Sequence, residues 1–224
     1  MPEQAEMLRG IEDEVAYTRH EIGKDAFDAR VMAAMAKVPR EQFVPESSRH
    51  FAFSNGPVLI GHGQTISQPY IVALMTDLLA PRPDSIVLEV GTGSGYQAAV
   101  LAELVRHVYS IEIVEPLALA ARERLAALGY ANVTVRHADG YHGWPEHASY
   151  DGIVVTAAAP AVPPPLVEQL CIGARLVIPV GLPGEVQVLT LIEKQADGTC
   201  SRRNVLPVAF VPLTRARAGA AVPG

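Results

Sequence analysis

The sequence predicts an α/β fold in which helices cover both faces of a mostly parallel sheet. From residue 84 onward, short apolar runs alternate with helical segments, which is typical of parallel βαβ units. The first run, 86–90, leads directly into a glycine-rich turn that opens a helix. The last two runs have no helix between them, which predicts that the sheet is mixed at one end.

An N-terminal helical extension is predicted before residue 84. Apolar residues recur at helical spacing over 25–38, and Pro39 ends this run. A second amphipathic helix is predicted at 71–79. The stretch 54–65 between them contains three glycines and a proline, which predicts an irregular loop.

The remaining elements follow in order along a Rossmann-like core. Strands are predicted at 86–90, 107–113, 133–137, 152–156, 175–180, 186–193 and 204–211, and helices at 95–104, 116–128 and 164–170. We expect a single domain, 1–224, with helices and a loop at 1–83, the core at 84–214 and a loose tail at 215–224.

Composition excludes several classes of protein. The chain has 224 residues, of which 49% are hydrophobic and 19% charged, so it can build a core without a metal or a disulfide. Its net charge of −6 argues against a dedicated nucleic-acid binder. Cys171 and Cys200 form no ligand pair, and neither a membrane helix nor a signal peptide is visible. We therefore expect a cytoplasmic protein.

A glycine-rich turn is the strongest candidate for a binding site. Glycines allow a sharp turn and a close approach of ligand to backbone, and the following helix offers free N–H groups. The pattern predicts a nucleotide-like ligand at five consecutive residues, Gly91, Thr92, Gly93, Ser94 and Gly95.

The glycine spacing alone does not choose the ligand. From Gly93 onward the sequence also fits the dinucleotide pattern, and Glu112 follows about 20 residues later. An NAD-dependent oxidoreductase is therefore an alternative. Glu89 favours S-adenosylmethionine, because a carboxylate attracts an ammonium group and repels a pyrophosphate. The stretch EVGTGSG (89–95) also resembles the E/D-x-G-x-G-x-G motif of class I methyltransferases.

Further candidate ligand-binding residues follow later strands, at the same edge of the sheet. Glu112 offers acceptors for two ribose hydroxyls. Asp139 is a candidate acceptor for the adenine amino group, and Gly140 would let the ring lie against the backbone. Thr156 is expected to line the pocket beside the methyl group. A surface acid, an Asp-Gly turn and a packed strand end are the ordinary structural explanations of the same residues.

Several further motifs resemble one family. GHGQTISQPY (61–70), VLEVGTGSGYQAAVLAEL, DGIVVTAAAP, FVPLT and VPREQFVP (38–45) are similar to protein-L-isoaspartate O-methyltransferases over about 27–214. The resemblance implies methyl transfer from S-adenosylmethionine to the α-carboxylate of isoaspartyl residues in damaged proteins. The ester then collapses without enzyme to a succinimide, and hydrolysis partly restores aspartate.

This chemistry needs no general base. An α-carboxyl group has a pKa of about 3.5, so it is already anionic at neutral pH. The enzyme must desolvate the carboxylate and align it with the methyl group. The lack of an obvious catalytic triad agrees with this mechanism.

Ser67 is the residue that the resemblance puts at the active site. From the residues alone it is also the expected N-cap of the 71–79 helix, with Pro69 in the first turn. Its oxygen could accept the N–H of Tyr70 while its hydrogen points to a substrate carboxylate. The helix N-terminus would favour that anion.

A metal site is not expected. His137, His142 and His147 are five residues apart, a spacing that does not put them on one helical face. We expect a monomer that binds isoaspartyl proteins, and neither nucleic acid nor a membrane. A methyltransferase of a small molecule or RNA, or a non-catalytic binding module, would also fit a Rossmann-like fold with this glycine turn.

Overall fold

Helices precede the central sheet, as predicted. The computed structural model describes residues 2–215, beginning with α1 (Pro2–Ile22), α2 (Ala29–Lys37), 3-10 turns at Arg40–Phe43 and Glu46–Phe51, a hairpin of β1 (Val58–Gly61) and β2 (Gln64–Ile66), and α3 (Pro69–Leu79). The long helix α1 buries Met7, Ile11 and Val15, which recur every four residues and form one apolar stripe.

The β1–β2 hairpin corrects one expectation. The stretch 54–65 was predicted to be an irregular loop, but β1 and β2 pair antiparallel between Val58 and Ile66. His62 and Gly63 both have positive φ, +52° and +72°, which is the geometry of a tight two-residue hairpin turn. The glycines therefore mark a turn between strands rather than an absence of strands.

The core elements alternate as the sequence predicts. They are β3 (Ile86–Val90), α4 (Tyr96–Ala102), β4 (His107–Glu112), α5 (Glu115–Ala127), β5 (Val133–His137), β6 (Tyr150–Val155), α6 (Pro164–Glu168), β7 (Leu170–Val180), β8 (Gln187–Lys194) and β9 (Cys200–Val208). The predicted bounds of β3 and β5 are correct. β7 starts five residues earlier than predicted, where Gly173 with φ +77° interrupts the apolar pattern. β9 starts four residues earlier, in an exposed polar edge strand.

The strand order is β5-β4-β3-β6-β7-β8-β9. The first five strands in this order are parallel, whereas β7–β8 and β8–β9 are antiparallel. The predicted mixed α/β sheet is thus confirmed. Starting from β3, the chain adds β4 and β5 on one side of the sheet and then β6 on the other side. A ligand crevice is expected beyond the carboxyl ends of the strands where the order of addition changes side.

The central strand β3 is covered on both faces. Val87 belongs to an apolar cluster with residues of α1 to α5, whereas Leu88 and Val90 belong to a second cluster with α6. This alternation decides which side chains of β3 face which layer. No helix within residues 2–215 is long and apolar enough to cross a membrane. Of the predicted loose tail, all but Arg215 lies outside the described residues.

Candidate active site

A cavity opens at the carboxyl ends of β3, β4 and β6. The glycine turn, the segment before α3 and the segment 211–214 surround it. Eight of the predicted site residues line it: Ser67, Gly91, Thr92, Gly93, Ser94, Glu112, Gly140 and Thr156. Glu89, Gly95 and Asp139 are not among its lining residues.

The glycine turn requires glycine for two reasons. Gly91, Gly93 and Gly95 have φ of +98°, +52° and +89°, a region that side chains disfavour. A Cβ at Gly91 would also collide with Thr156 Oγ1, which donates a 2.6 Å hydrogen bond to the Gly91 carbonyl. The turn thus packs directly against the end of β6.

Glu89 does not line the cavity, but it supports the glycine turn through a hydrogen bond with Ser110. Its side chain is fully buried on the α4 side of β3 and accepts a hydrogen bond from Ser110, whose Oγ lies 2.5 Å from Thr92 Oγ1. The predicted place of Glu89 beside a cofactor ammonium stays a prediction, and its Oε1 has no hydrogen-bond partner in the described residues. Burial raises the pKa of Glu89 to about 8, against the hydrogen bond from Ser110. This shift favours the protonated form of the carboxyl group near neutral pH.

Glu112 lines the cavity and also holds two loops together. Its Oε2 accepts the N–H of Gly93 at 2.8 Å, and its Oε1 accepts the N–H of Val114 at 2.9 Å. A carboxylate oxygen has further acceptor capacity, so both oxygens can still receive hydroxyl groups. The predicted ligand-binding residue thus also has a structural role.

Asp139 lies just behind the cavity wall. Its Oδ1 accepts the N–H of Tyr141 at 3.0 Å, which is the local turn expected of Asp-Gly, and its Oδ2 accepts Arg215 Nε at 3.0 Å. The neighbouring Gly140 lines the cavity, and any Cβ there would collide with Val90. Arg215, predicted to be part of a loose tail, is therefore in contact with the core.

Ser67 lies at the mouth of the cavity, but it does not cap α3. The N-cap is Gln68, without a side-chain cap hydrogen bond, because Pro69 takes the first helical position that proline prefers. The capping role predicted for Ser67 is wrong. Within residues 2–215 its hydroxyl makes no hydrogen bond, whereas its carbonyl accepts one from Arg40 at 2.7 Å.

A second groove adjoins the cavity. The two share Thr65, Ser67, Thr156 and Val211. The remaining groove wall is mostly apolar: Pro57, Gln68, Ile71, Val186, Pro207, Val208, Ala209 and Phe210. Ser67 and Thr156 therefore lie where a ligand in the cavity and a ligand in the groove would meet.

The C-terminal segment 211–214 reaches the cavity by pairing with the chain after β6. The Ala158 N–H donates to the Val211 carbonyl at 2.8 Å, and the Leu213 N–H donates to the Ala158 carbonyl at 2.7 Å. This pairing gives the FVPLT motif its place in the site.

Gln97 is a cavity residue that the sequence did not reveal. Its Nε2 donates to Thr76 Oγ1 at 2.8 Å, and that hydroxyl donates to the Val72 carbonyl at 2.8 Å. This chain of hydrogen bonds fixes the amide so that Oε1 is buried without a partner in the described residues. An unpaired acceptor in a cavity wall fits a ligand that brings a donor. Its place within a helix carried no sequence signal.

His137, His142 and His147 each contact different residues. His137 lies 3.2 Å from the Ile113 carbonyl, His142 contacts Arg215, and His147 stacks on Tyr109. No group of three or more potential metal ligands occurs within residues 2–215.

Comparison with known families decides what this site belongs to. Residues 18–218 match the family model described as protein-L-isoaspartate(D-aspartate) O-methyltransferase. The chain belongs to this family. The predicted family, enzyme class and S-adenosylmethionine cofactor are thereby confirmed.

Individual relatives agree with the family assignment. The chain is 63% identical to protein-L-isoaspartate O-methyltransferase 2 of Polaromonas sp., over 94% of this chain and 100% of that one. A solved protein-L-isoaspartate O-methyltransferase has a TM-score of 0.77 at 26% identity, over 90% of this chain and 65% of the other, so this chain spans about two thirds of that protein's length. A putative methyltransferase of the family from Plasmodium falciparum, solved with S-adenosyl-L-homocysteine, has a TM-score of 0.74 at 26% identity, over 92% and 97%.

Proposed function

We propose that the chain transfers the methyl group of S-adenosylmethionine to the α-carboxylate of L-isoaspartyl residues in damaged proteins. One observation carries this proposal: a cavity at the glycine turn adjoins a second, largely apolar groove, and the two share Ser67 and Thr156. The cavity suits the cofactor, and the groove suits an extended peptide. The methyl ester then cyclises to a succinimide without help from the enzyme.

The cavity residues fit the parts of the cofactor. Glu112 would accept the two ribose hydroxyls, and Gly140 would leave room for adenine, with Asp139 holding that turn. The glycine turn, from Gly91 to Gly95, lets the ligand approach the backbone. The buried Oε1 of Gln97, which has no partner in the described residues, would accept a hydrogen bond from the α-ammonium group. When bound, the cofactor supplies an electrophilic sulfonium methyl.

The acceptor end depends on positioning rather than on proton transfer. The substrate carboxylate is anionic, so this chain has only to hold it near the methyl group and exclude water. The hydroxyl of Ser67, which is uncommitted within the described residues, donates to one carboxylate oxygen. The first turn of α3 adds a favourable field for the anion.

The groove favours a polypeptide substrate. Its walls are largely apolar, and the chain carries a net charge of −6, which disfavours RNA as the methyl acceptor. We further propose that the chain acts as a single-domain monomer in the cytoplasm. The free thiols of Cys171 and Cys200 suit a reducing compartment.

A matched pair of peptides tests the proposed function. One contains isoaspartate and the other aspartate in the same sequence, and radiolabelled methyl transfer is measured for both. We expect transfer to the isoaspartyl peptide only, and a loss of at least about tenfold in kcat/KM in Ser67→Ala, the scale of one hydrogen bond to a charged group. Equal labelling of both peptides, or binding of NADH in place of S-adenosylmethionine, would contradict the proposal.

A further inference from the structure

Arg40 is a buried cation beside the acceptor end of the site. It begins the 3-10 turn Arg40–Phe43, and its side chain is 0% exposed. Its Nε donates to the Ala52 carbonyl and its second terminal nitrogen donates to the Ser67 carbonyl, both at 2.7 Å. The guanidinium carbon lies 4.6 Å from the ring centroid of Tyr96, the first residue of α4.

The charge of Arg40 is met by two backbone carbonyls and the face of Tyr96 rather than by a carboxylate. Within residues 2–215 it forms no ion pair with a carboxylate, and its remaining terminal nitrogen has no hydrogen-bond partner. A guanidinium nevertheless stays ionised in proteins. Burying an unpaired charge costs free energy. Replacing buried charged residues by apolar side chains of similar volume often leaves a protein equally stable or more stable. The contacts of Arg40 leave one terminal nitrogen of the buried cation without a partner in the described residues.

The missing anion has an obvious source in the reaction. The substrate carboxylate must leave water and reach Ser67, whose carbonyl is already bound by Arg40. We propose that Arg40 is a positioning residue whose charge stabilises this carboxylate and whose planar fork fixes Ser67 relative to α4. The inference rests on the proposed placement of the substrate carboxylate at Ser67.

Two physical effects support this role. In a site of low dielectric constant, a charge acts over several ångströms with little screening. Arg40 also links the two halves of the site, since it contacts both Ser67, which precedes α3, and Tyr96, which follows the glycine turn. Arg40 does not contact the reacting atoms. Its effect is therefore expected on binding of the acceptor rather than of the cofactor.

The test compares two ligands that differ in charge. An isoaspartyl peptide with a free α-carboxylate and the same peptide with an α-carboxamide are titrated into enzyme saturated with S-adenosyl-L-homocysteine. The proteins are wild type, Arg40→Lys, which keeps the charge, and Arg40→Gln, which keeps an N–H donor only. Arg175→Gln is the matched control, because Arg175 donates to the Leu78 carbonyl at the far end of α3.

We expect wild type, Arg40→Lys and Arg175→Gln to prefer the carboxylate, and Arg40→Gln to lose roughly tenfold of that preference. A loss of packing alone would not change this preference for the carboxylate peptide over the carboxamide peptide. If wild type prefers the carboxylate and Arg40→Gln keeps the full preference, the role of Arg40 is overturned. If wild type shows no preference, the placement at Ser67 fails instead. If Arg40→Gln no longer binds S-adenosyl-L-homocysteine, Arg40→Met replaces it, and loss of binding in both would assign Arg40 to folding alone.

Discussion

At the scale of single residues, side chains that line the candidate site also support its backbone. Glu112 is the clearest case, because its two oxygens accept backbone N–H groups from two different loops. Its position at the end of a strand predicted the ligand role. The structural role depends on how the glycine turn folds back on the end of β4, which no local pattern reveals.

Glu112→Ala should therefore affect both stability and binding. Loss of the acceptor leaves the N–H groups of Gly93 and Val114 without their partners, so the free energy of unfolding without cofactor should fall by about 1–3 kcal/mol. The affinity for S-adenosyl-L-homocysteine should fall by at least about tenfold. Urea denaturation and calorimetry measure the two effects separately. Unchanged stability of the variant would contradict the structural role.

Gln97 offers a sharper test of ligand contact. Gln97→Leu removes the buried Oε1, and the affinity for S-adenosyl-L-homocysteine should fall roughly tenfold. A second ligand is an analogue of S-adenosyl-L-homocysteine that lacks the α-amino group. Its affinity should change much less, since it brings no hydrogen-bond donor to the Gln97 amide. Thr76→Val, which removes only the anchor of the amide, is the control and should have a smaller effect. Equal losses for both ligands in Gln97→Leu would exclude contact with the amino group.

At the scale of elements, apolar periodicity predicted the core because the sheet is buried on both faces. β3 and β5 have the predicted bounds, and each remaining core strand overlaps its prediction. The wrong predictions lie where the sequence has no apolar periodicity. The β1–β2 hairpin is short and rich in glycine, β9 is polar at its exposed start, and the N-cap of α3 is set by Pro69.

The glycine turn and the hairpin turn provide a matched comparison of backbone constraint. Gly91 and Gly63 both have positive φ, but a Cβ at Gly63 meets nothing within 4 Å, whereas one at Gly91 collides with Thr156. Gly63→Ala should cost about 1 kcal/mol, from backbone strain alone. Gly91→Ala should cost clearly more and abolish cofactor binding. Urea denaturation of the two variants is the measurement, and equal losses of stability would contradict the packing argument.

At the scale of the whole molecule, the packing of the sheet buries one acidic residue that the sequence predicted at the site. The sequence predicted an ionised Glu89 facing a cofactor ammonium. The sheet places it instead between layers, because successive side chains of β3 alternate between the α4 face and the α6 face. Residue type and spacing identified the motif correctly. The direction of the side chain depends on the packing of the complete sheet.

This burial makes global stability depend on pH with a definite sign. The pKa of Glu89 rises from 4.5 to about 8 on folding, so the folded state holds a proton that the unfolded state has released between these values. The contribution of Glu89 to stability is therefore full below about pH 4.5 and is lost as the pH rises toward 8. Glu89→Gln is neutral at every pH, so its melting temperature relative to wild type should rise between pH 5 and pH 8. Thermal melts at both pH values measure this difference. Its affinity for S-adenosyl-L-homocysteine at pH 7 should stay within about threefold of wild type, because a protonated carboxyl group and an amide are both neutral. A pH-independent difference in melting temperature, together with a large loss of affinity, would restore the ionised carboxylate beside the cofactor.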